Sequence, residues 1–153
     1  MENIQEILHK EIDLIQDCIK RMANNSFLLK GWTVSLVVIV LALGKDHEFE
    51  KLFPVLMLLI TCFWYLDAFF LRTEKMYRKM YEWVIKNRKN TEEHLYDLDP
   101  QRFSNTVAGE VKIMFSKTLC VFYGIPFLIF LLGFLYQIEI VKLITDLMTK
   151  LKG

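Results

Sequence analysis

Three long apolar stretches constrain this chain more than any other feature of its sequence. They are Phe27–Gly44, Leu52–Leu71 and Leu119–Tyr136, and together they occupy over a third of the 153 residues. An α-helix rises about 1.5 Å per residue, so each stretch is about long enough to cross a hydrocarbon core of roughly 30 Å. The sequence therefore predicts an all-α integral membrane protein with three membrane-spanning helices.

The first 24 residues predict an amphipathic helix. Their other faces mix acidic and basic side chains, so we expect the apolar face to pack on a partner helix, with the membrane interface as the alternative. Asn24, Asn25 and Ser26 offer a helix break or an N-cap before the first span. The apolar residues of this face recur at spacings of three and four: Ile4, Leu8, Ile12, Ile15, Ile19 and Met22.

The first two spans predict a tight antiparallel hairpin, because only the charged segment Lys45–Lys51 separates them. Gly44 can end the first span in a left-handed conformation. Pro54 fits the first turn of the second span, where its missing N–H costs nothing. In such a hairpin Lys30 and Asp67 lie at about the same depth on facing helices. We therefore expect these two residues to form an ion pair near the cytoplasmic side.

The segment Arg72–Thr118 predicts a long helical cytoplasmic region. No glycine or proline interrupts it before Pro100, so we expect the second span to continue as a helix to about Lys89. Residues 97–100 predict a loop, because the residue before a proline is pushed out of helical geometry. The stretch Ser104–Lys117 then predicts a helix that leads into the third span.

The C-terminal tail, Ile138–Lys152, predicts a second amphipathic helix. Its apolar stripe has spacings of three, four and three residues and consists of Val141, Ile144, Met148 and Leu151. Two arrangements fit this pattern: a helix that lies on the membrane surface, and a helical bundle formed by several copies of the chain.

The distribution of lysine and arginine predicts the orientation. Ten of these residues lie between Arg72 and Lys117, whereas the segment between the first two spans has only two. Cytoplasmic segments carry the excess of positive charge. We therefore expect the N-terminus and the segment 72–117 to be cytoplasmic. Three spans then place the tail on the opposite side of the membrane, although its own lysines disfavour that side.

Polar residues inside the spans are candidate pore residues. Ionisable side chains at membrane depth are costly and often functional, which makes Asp67 the sharpest candidate. The alternative is a structural ion pair with Lys30. The hydroxyl side chains can line a pore or bond back to carbonyls of their own helix. The full candidate set is Lys30, Thr33, Ser35, Thr61 and Asp67.

A basic stretch beyond the second span is a candidate binding surface. It mixes lysine and arginine with methionine, tyrosine and tryptophan, a combination that suits lipid headgroups, a nucleotide, a nucleic-acid phosphate or a partner protein. Anchoring by positive charge and an aromatic belt is the alternative. The candidate residues are Arg72, Lys75, Arg78, Lys79, Lys86, Arg88 and Lys89.

The sequence carries no motif that indicates catalysis or a cofactor. P-loop, nucleophile-elbow, zinc-protease and dinucleotide-binding patterns are absent, and no histidine has a second metal ligand at a suitable spacing. We therefore predict no catalytic residue, no cofactor and no metal site. Three helices are too few to enclose a water-filled path. Conduction would therefore need a homo-oligomer, and we expect this oligomer to be a tetramer.

Two runs of sequence resemble the SLATT superfamily, small membrane proteins of bacterial anti-phage defence loci. These runs are Arg21–Trp32, RMANNSFLLKGW, and Trp64–Glu74, WYLDAFFLRTE. The resemblance covers about residues 1–90 and implies an N-terminal helix, two membrane helices and a cytoplasmic helix. The third span and the tail depart from that pattern.

The resemblance also implies a function. It implies a pore-forming effector of the bacterial inner membrane that acts when a cytoplasmic sensor protein or small ligand signals infection, and it implies no catalytic residue. A function of a different class is the alternative. In that case the chain is a non-conducting anchor or scaffold that recruits a cytoplasmic partner through residues 72–117.

Overall fold

The computed structural model describes residues 2–43 and 52–152, and within these ranges it contains helices and no strand. Three of the helices are long and apolar enough to cross a membrane. The predicted all-α class with three membrane-length helices is therefore confirmed. Gly44 and the predicted loop Lys45–Lys51 lie outside the described residues. The elements are α1 (Glu2–Leu43), α2 (Phe53–Asn87), a 3-10 helix (Pro100–Thr106), α3 (Glu110–Met114) and α4 (Lys117–Lys152).

The helix α1 joins two segments that the sequence separates. The predicted break or N-cap at Asn24–Ser26 is wrong, because α1 runs without interruption from Glu2 to Leu43. The hydroxyl of Ser26 does not cap a helix here, since it donates to the carboxylate of Asp67 on α2. The N-terminal amphipathic helix and the first candidate span are thus one rod.

The helix α2 follows its prediction closely. It begins at Phe53 with Pro54 in the first turn, as expected from the missing N–H of proline. It ends at Asn87, two residues before the predicted end at Lys89. The candidate span and the basic stretch beyond it therefore form one continuous helix.

The predicted helix Ser104–Lys117 is wrong. The chain instead forms the 3-10 helix Pro100–Thr106 and the five-residue helix α3. Between them Val107 and Gly109 have extended backbone conformations, and Gly109 precedes the first turn of α3. Pro100 and Gly109 punctuate the segment, so the continuous helix of α2 ends at Asn87 and only two short helices follow it before α4.

The helix α4 contains both the third candidate span and the tail. It runs from Lys117 to Lys152 and continues through Pro126. The tail is amphipathic as predicted from its spacing, but it is an extension of the span and has no separate start.

The helix α2 is the centre of the molecule, since α1, the 3-10 helix, α3 and α4 all pack on it. One core lies where the three candidate spans pack together, which we call the apolar half of the molecule, and it includes residues of α1, α2, α3 and α4. Its buried residues are Val40, Leu56, Ile60, Trp64, Ala68, Ile113, Leu119, Tyr123 and Phe130.

A second core lies in what we call the stalk, residues 2–25 of α1 and 72–87 of α2. Ile15, Met80 and Val84 are buried there, and Leu8, Ile12 and Ile19 pack against them. The predicted partner helix for the N-terminal apolar face is thus α2 of the same chain.

Both neighbours of α2 run antiparallel to it. On α4, Tyr123 reaches Asp67 and Phe130 lies against Phe53, with ring centroids 5.8 Å apart. A Cβ atom on Gly133 would come within 3.0 Å of the Phe53 ring, so glycine permits this close approach. The tail of α4 therefore begins where α2 begins and extends beyond it.

The outer surface of the apolar half is itself apolar. Large aliphatic side chains of α1, α2 and α4 are more than half exposed there. A continuous exposed apolar surface of this kind marks contact with a membrane or another protein. The residues are Val34, Val38, Ile39, Val55, Leu58, Val121, Ile125, Leu128, Ile129 and Leu132.

Candidate functional site

One buried polar cluster joins all three membrane-length helices. Its members are Ser26 and Lys30 of α1, Asp67 of α2 and Tyr123 of α4, and we call it the Asp67 cluster. The Lys30 ammonium nitrogen lies 2.5 Å from Asp67 Oδ2, which also accepts from the Tyr123 hydroxyl at 3.1 Å. The Ser26 hydroxyl donates to Asp67 Oδ1 and accepts from Lys30 at 2.7 Å.

Helical spacing explains how the sequence builds this cluster. Ser26 and Lys30 are four residues apart, so both side chains lie on the face of α1 that meets α2. The antiparallel register of the hairpin brings Asp67 opposite them, and the predicted ion pair between Lys30 and Asp67 is confirmed. Tyr123 lies in the second turn of α4 and reaches the same carboxylate.

The cluster satisfies its own charges. Lys30 donates to Asp67, to the Ser26 hydroxyl and weakly to the Ser26 carbonyl at 3.5 Å. The Asp67 side chain is fully buried, and both of its oxygens accept hydrogen bonds. A buried carboxylate without partners would be very costly. These contacts therefore hold α1, α2 and α4 in one arrangement at this level.

Lys30 differs from Asp67 in its access to the surroundings. Its side chain is 24% exposed. A lysine has a flexible four-carbon stem and can place its ammonium at the edge of an apolar layer. The cluster is thus closed on the side of the carboxylate and open on the side of the ammonium.

Aromatic contacts fix the start of α4 beside the cluster. The indole N–H of Trp64 donates to the carbonyl of Met114 at 2.7 Å, at the end of α3. The Trp64 ring stacks on Tyr123 with centroids 6.2 Å apart and meets Phe115 edge-on at 5.6 Å. Trp64 therefore orients the tyrosine that reaches Asp67.

The hydroxyl candidates of the spans bond to their own helices. Thr33 donates to the Leu29 carbonyl at 2.9 Å, Ser35 to Gly31 at 3.0 Å and Thr61 to Met57 at 2.7 Å. This is the back-bonded alternative for such residues. Thr33 is buried, whereas Ser35 and Thr61 are exposed. Thr33 also hydrogen-bonds with Tyr123 and so borders the Asp67 cluster, whereas Ser35 and Thr61 are not brought to it.

A second buried ion pair closes the far end of the stalk. The Arg88 guanidinium lies across Glu11 with two hydrogen bonds of 2.6 Å, from Nε and from one terminal nitrogen. It also donates to the carbonyls of Thr91, Glu93 and His94 at 2.8–3.2 Å. All five N–H groups of the arginine are therefore used. We call this the Arg88 cluster.

The Arg88 cluster shapes the loop that follows α2. Three loop carbonyls converge on the guanidinium, and the amide of Tyr96 donates to Glu11 at 3.2 Å. His94 and Tyr96 adopt left-handed backbone conformations with φ of 55° and 56°. Such conformations cost energy in residues other than glycine. The hydrogen bonds to the buried ion pair offset this cost.

The seven basic candidates divide into two groups. Four have an acidic partner in the chain: Arg72 with Glu110, Arg78 with Glu74, Lys79 with Glu82, and Arg88 with Glu11. Lys75, Lys86 and Lys89 are exposed, and no ion pair of theirs occurs within residues 2–43 and 52–152. The guanidinium of Arg88 is occupied inside the fold, so we remove Arg88 from the candidate ligand-binding residues.

Three residues of these clusters were not among the candidates from the sequence. Ser26 was assigned to a helix break, and Glu11 was counted among the charged residues outside the apolar stripe of the first helix. The hairpin register that pairs Lys30 with Asp67 also pairs Glu11 with Arg88 along the same two helices, so it could have indicated the second pair. Tyr123 carried no such signal, because the register of α4 depends on the irregular segment before it.

Comparisons with protein-family models, with curated proteins and with solved structures return no match for this chain.

Proposed function

We propose that this chain is the subunit of an oligomeric membrane pore that opens on a cytoplasmic signal. The observation that supports it most is the Asp67 cluster, an ion pair shared by the three membrane-length helices. Ionisable groups at membrane depth are retained chiefly where they serve ion pathways, relays or sensing. In this proposal the clusters of several protomers surround or control one path.

The stalk supplies the connection to the signal in this proposal. Both α1 and α2 continue without a break from the Asp67 cluster to the Arg88 cluster. A ligand or partner that binds at the far end of the stalk can therefore displace the helices at membrane level, because packed helices move as rigid elements. The exposed lysines Lys75, Lys86 and Lys89 suit an anionic ligand or an acidic partner surface there.

The proposed setting is the bacterial inner membrane, with the N-terminus and the stalk in the cytoplasm. The excess of lysine and arginine in residues 72–117 supports this orientation. The resemblance of residues 1–90 to SLATT proteins supports a role in anti-phage defence, in which the pore permeabilises the membrane of an infected cell.

Ion flux tests the proposal. The purified full-length chain is reconstituted into vesicles of phosphatidylethanolamine and phosphatidylglycerol, and potassium efflux and oligomer mass are measured on the same sample. We expect a defined oligomer and measurable efflux. Asp67→Asn should change the efflux, because it loosens the contact among the three helices. Asp146→Asn, an exposed position on the tail, should leave it unchanged. A stable monomer without efflux would overturn the proposal.

A second candidate function is a non-conducting anchor that recruits a cytoplasmic partner. The observation that favours it is that the polar groups of the spans find their partners within one chain. The hydroxyls of Thr33, Ser35 and Thr61 bond to carbonyls of their own helices, and Lys30 neutralises Asp67. A defined oligomer that releases no potassium, alone or with its partner bound, would favour this function over the pore.

A further inference from the structure

The tail of α4, residues 138–152, has an apolar face that no other described element of the chain covers. Leu143, Ile144, Leu147 and Met148 lie on one side of the helix, and each is more than half exposed. The charged residues of the tail occupy the opposite side at spacings of three and four. They are Glu139, Lys142, Asp146 and Lys150.

The continuity of α4 argues against a tail that lies on the membrane surface. Sharp bends in helices occur at proline, glycine or local insertions. From Gly133 to Lys152 α4 is unbroken helix, and neither proline nor glycine follows Gly133 before residue 153. The tail therefore points along the axis of the candidate span. A helix that leaves the membrane in this direction cannot turn its apolar face onto the headgroups.

Nor does another described element of the chain reach the tail. Gly133 packs against Phe53 in the first turn of α2, and α1 ends at Leu43 on the same level. At a rise of about 1.5 Å per residue, α4 extends about 28 Å beyond this contact. The charges on the opposite side of the tail also keep it out of the hydrocarbon layer, where each would be costly. Within residues 2–43 and 52–152, Leu143, Ile144, Leu147 and Met148 thus have no partner helix at that height.

A second copy of the chain supplies such a partner. Copies inserted in the same orientation have their α4 helices at the same depth, so their tails begin at the same level and run parallel. Ile144 and Met148 stand at the spacing of successive core positions of a coiled coil, and Ile140 and Leu147 widen the face on one flank. A wide apolar face suits a bundle of more than two helices. The charged side of each tail then faces water.

We propose that the tail is the self-association surface of this protein, at which several copies form a parallel helical bundle. This inference rests on the proposed function, because a pore needs several copies of a three-helix subunit. It adds the surface that holds them together and places it at one end of α4, beyond the level at which α2 begins.

Cysteine cross-linking in membranes tests the proposal. The background is the full chain with Cys62 and Cys120 changed to alanine, whereas buried Cys18 is kept. Ile144→Cys lies on the apolar face, and the matched control Asp146→Cys lies on the charged face two residues away. We expect oxidation to link copies through position 144 at least ten times faster than through position 146. Equal rates at the two positions, or no cross-link at position 144, would overturn the proposal.

Oligomer mass separates this proposal from the function on which it rests. We expect Ile144→Glu with Met148→Glu to reduce the mass in detergent towards the monomer, while Lys142→Glu with Lys150→Glu leaves it unchanged. Circular dichroism checks that helix content is retained. If the apolar-face variant keeps both the mass and the potassium efflux of the unmodified chain, the tail proposal fails and the pore stands. If the unmodified chain is itself a monomer without efflux, both fail.

Discussion

The Asp67 cluster and the Arg88 cluster both join α1 to α2 through a buried ion pair, but they are built differently. Arg88 is only 4% exposed, and its rigid guanidinium fork is filled by one carboxylate and three carbonyls. Lys30 is a flexible point charge that keeps partial exposure. The arginine site is therefore closed around a rigid cation, whereas the lysine site holds a flexible cation that is open on one side.

The two clusters also differ in the number of helices that they connect. The Arg88 cluster fixes a loop to the hairpin and involves no residue of α4. The Asp67 cluster includes Tyr123 and so makes the position of α4 depend on the charge pair between α1 and α2. We call the first the clamp, because it holds the far end of the stalk together, and the second the junction, because it joins three helices.

The largest expected effect is at the clamp. Arg88→Ala leaves the Glu11 carboxylate buried without its cation, and breaking a buried pair in this way costs about 3–5 kcal/mol. Arg88→Lys should recover only part of this loss, because an ammonium cannot reproduce the five-donor fork. The measurement is the thermal unfolding midpoint in detergent.

The control for the clamp is Arg78→Ala. Arg78 pairs with Glu74 on the surface of α2, where its side chain is 60% exposed. Exposed pairs of this kind contribute about 0–1 kcal/mol. If both alanine variants lower the midpoint by the same amount, the Arg88 cluster is not a clamp.

A smaller effect is expected at the junction. Asp67→Asn keeps the shape of the side chain but removes the countercharge of Lys30, and the partly exposed ammonium can turn outward. We expect a loss of about 1–3 kcal/mol, the cost of leaving a buried group without its partner. A double-mutant cycle with Lys30→Gln should give a coupling energy of about 0.5–3 kcal/mol between the two residues.

The contrast between the junction and the clamp requires that Asp67→Asn lowers stability less than Arg88→Ala does. The thermal midpoints of Asp67→Asn and Arg88→Ala are compared in the same detergent. A loss at Asp67 that equals or exceeds the loss at Arg88 would remove the contrast between them. A coupling energy of zero would show that Lys30 and Asp67 do not depend on each other.

The sequence predicts regular helices and their pairing better than it predicts the sites. Hydrophobic spacing and length were sufficient for the three membrane-length helices, and the hairpin register was sufficient for the pair of Lys30 and Asp67. The break at Asn24–Ser26 was predicted from capping preferences that are local, and a tertiary contact of Ser26 overrode them. The apolar surface of the N-terminal residues was correctly assigned to a partner helix.

The irregular segment between α2 and α4 could not be predicted. The 3-10 helix and α3 are both short, so their positions depend on contacts with α2 that are distant in sequence. Tyr123 reaches Asp67 only because the chain between residues 88 and 116 has a particular path. Tyr123, the residue that α4 contributes to the junction, therefore could not be predicted from the sequence.

The smallest expected effect concerns the pair between Arg72 and Glu110, whose nitrogen and oxygen lie 2.5 Å apart with both side chains partly exposed. A hydrogen bond from its own backbone N–H, followed by the Arg72 guanidinium, holds the pKa of Glu110 below its ordinary value of 4.5. A lowered pKa in the folded state means that ionised Glu110 stabilises the fold above about pH 4.5. This contribution is lost as the pH falls through the lower, folded value.

Glu110→Gln removes this contribution and provides the test. We expect the variant to be less stable than the unmodified chain at pH 7 by at most about 1 kcal/mol, as for other partly exposed pairs. The difference should shrink as the pH falls below about 4.5, and it should vanish once the pH is below the lowered pKa of Glu110 in the folded state, because the side chain is then protonated in both states. Thermal midpoints of the two proteins between pH 3 and pH 7 give the comparison.

A difference that is constant over this range would mean that the carboxylate charge does not stabilise the contact between α2 and α3. A difference as large as that at Arg88 would mean that partial exposure does not weaken an ion pair in this protein, and the distinction drawn between clamp and junction would lose its physical basis.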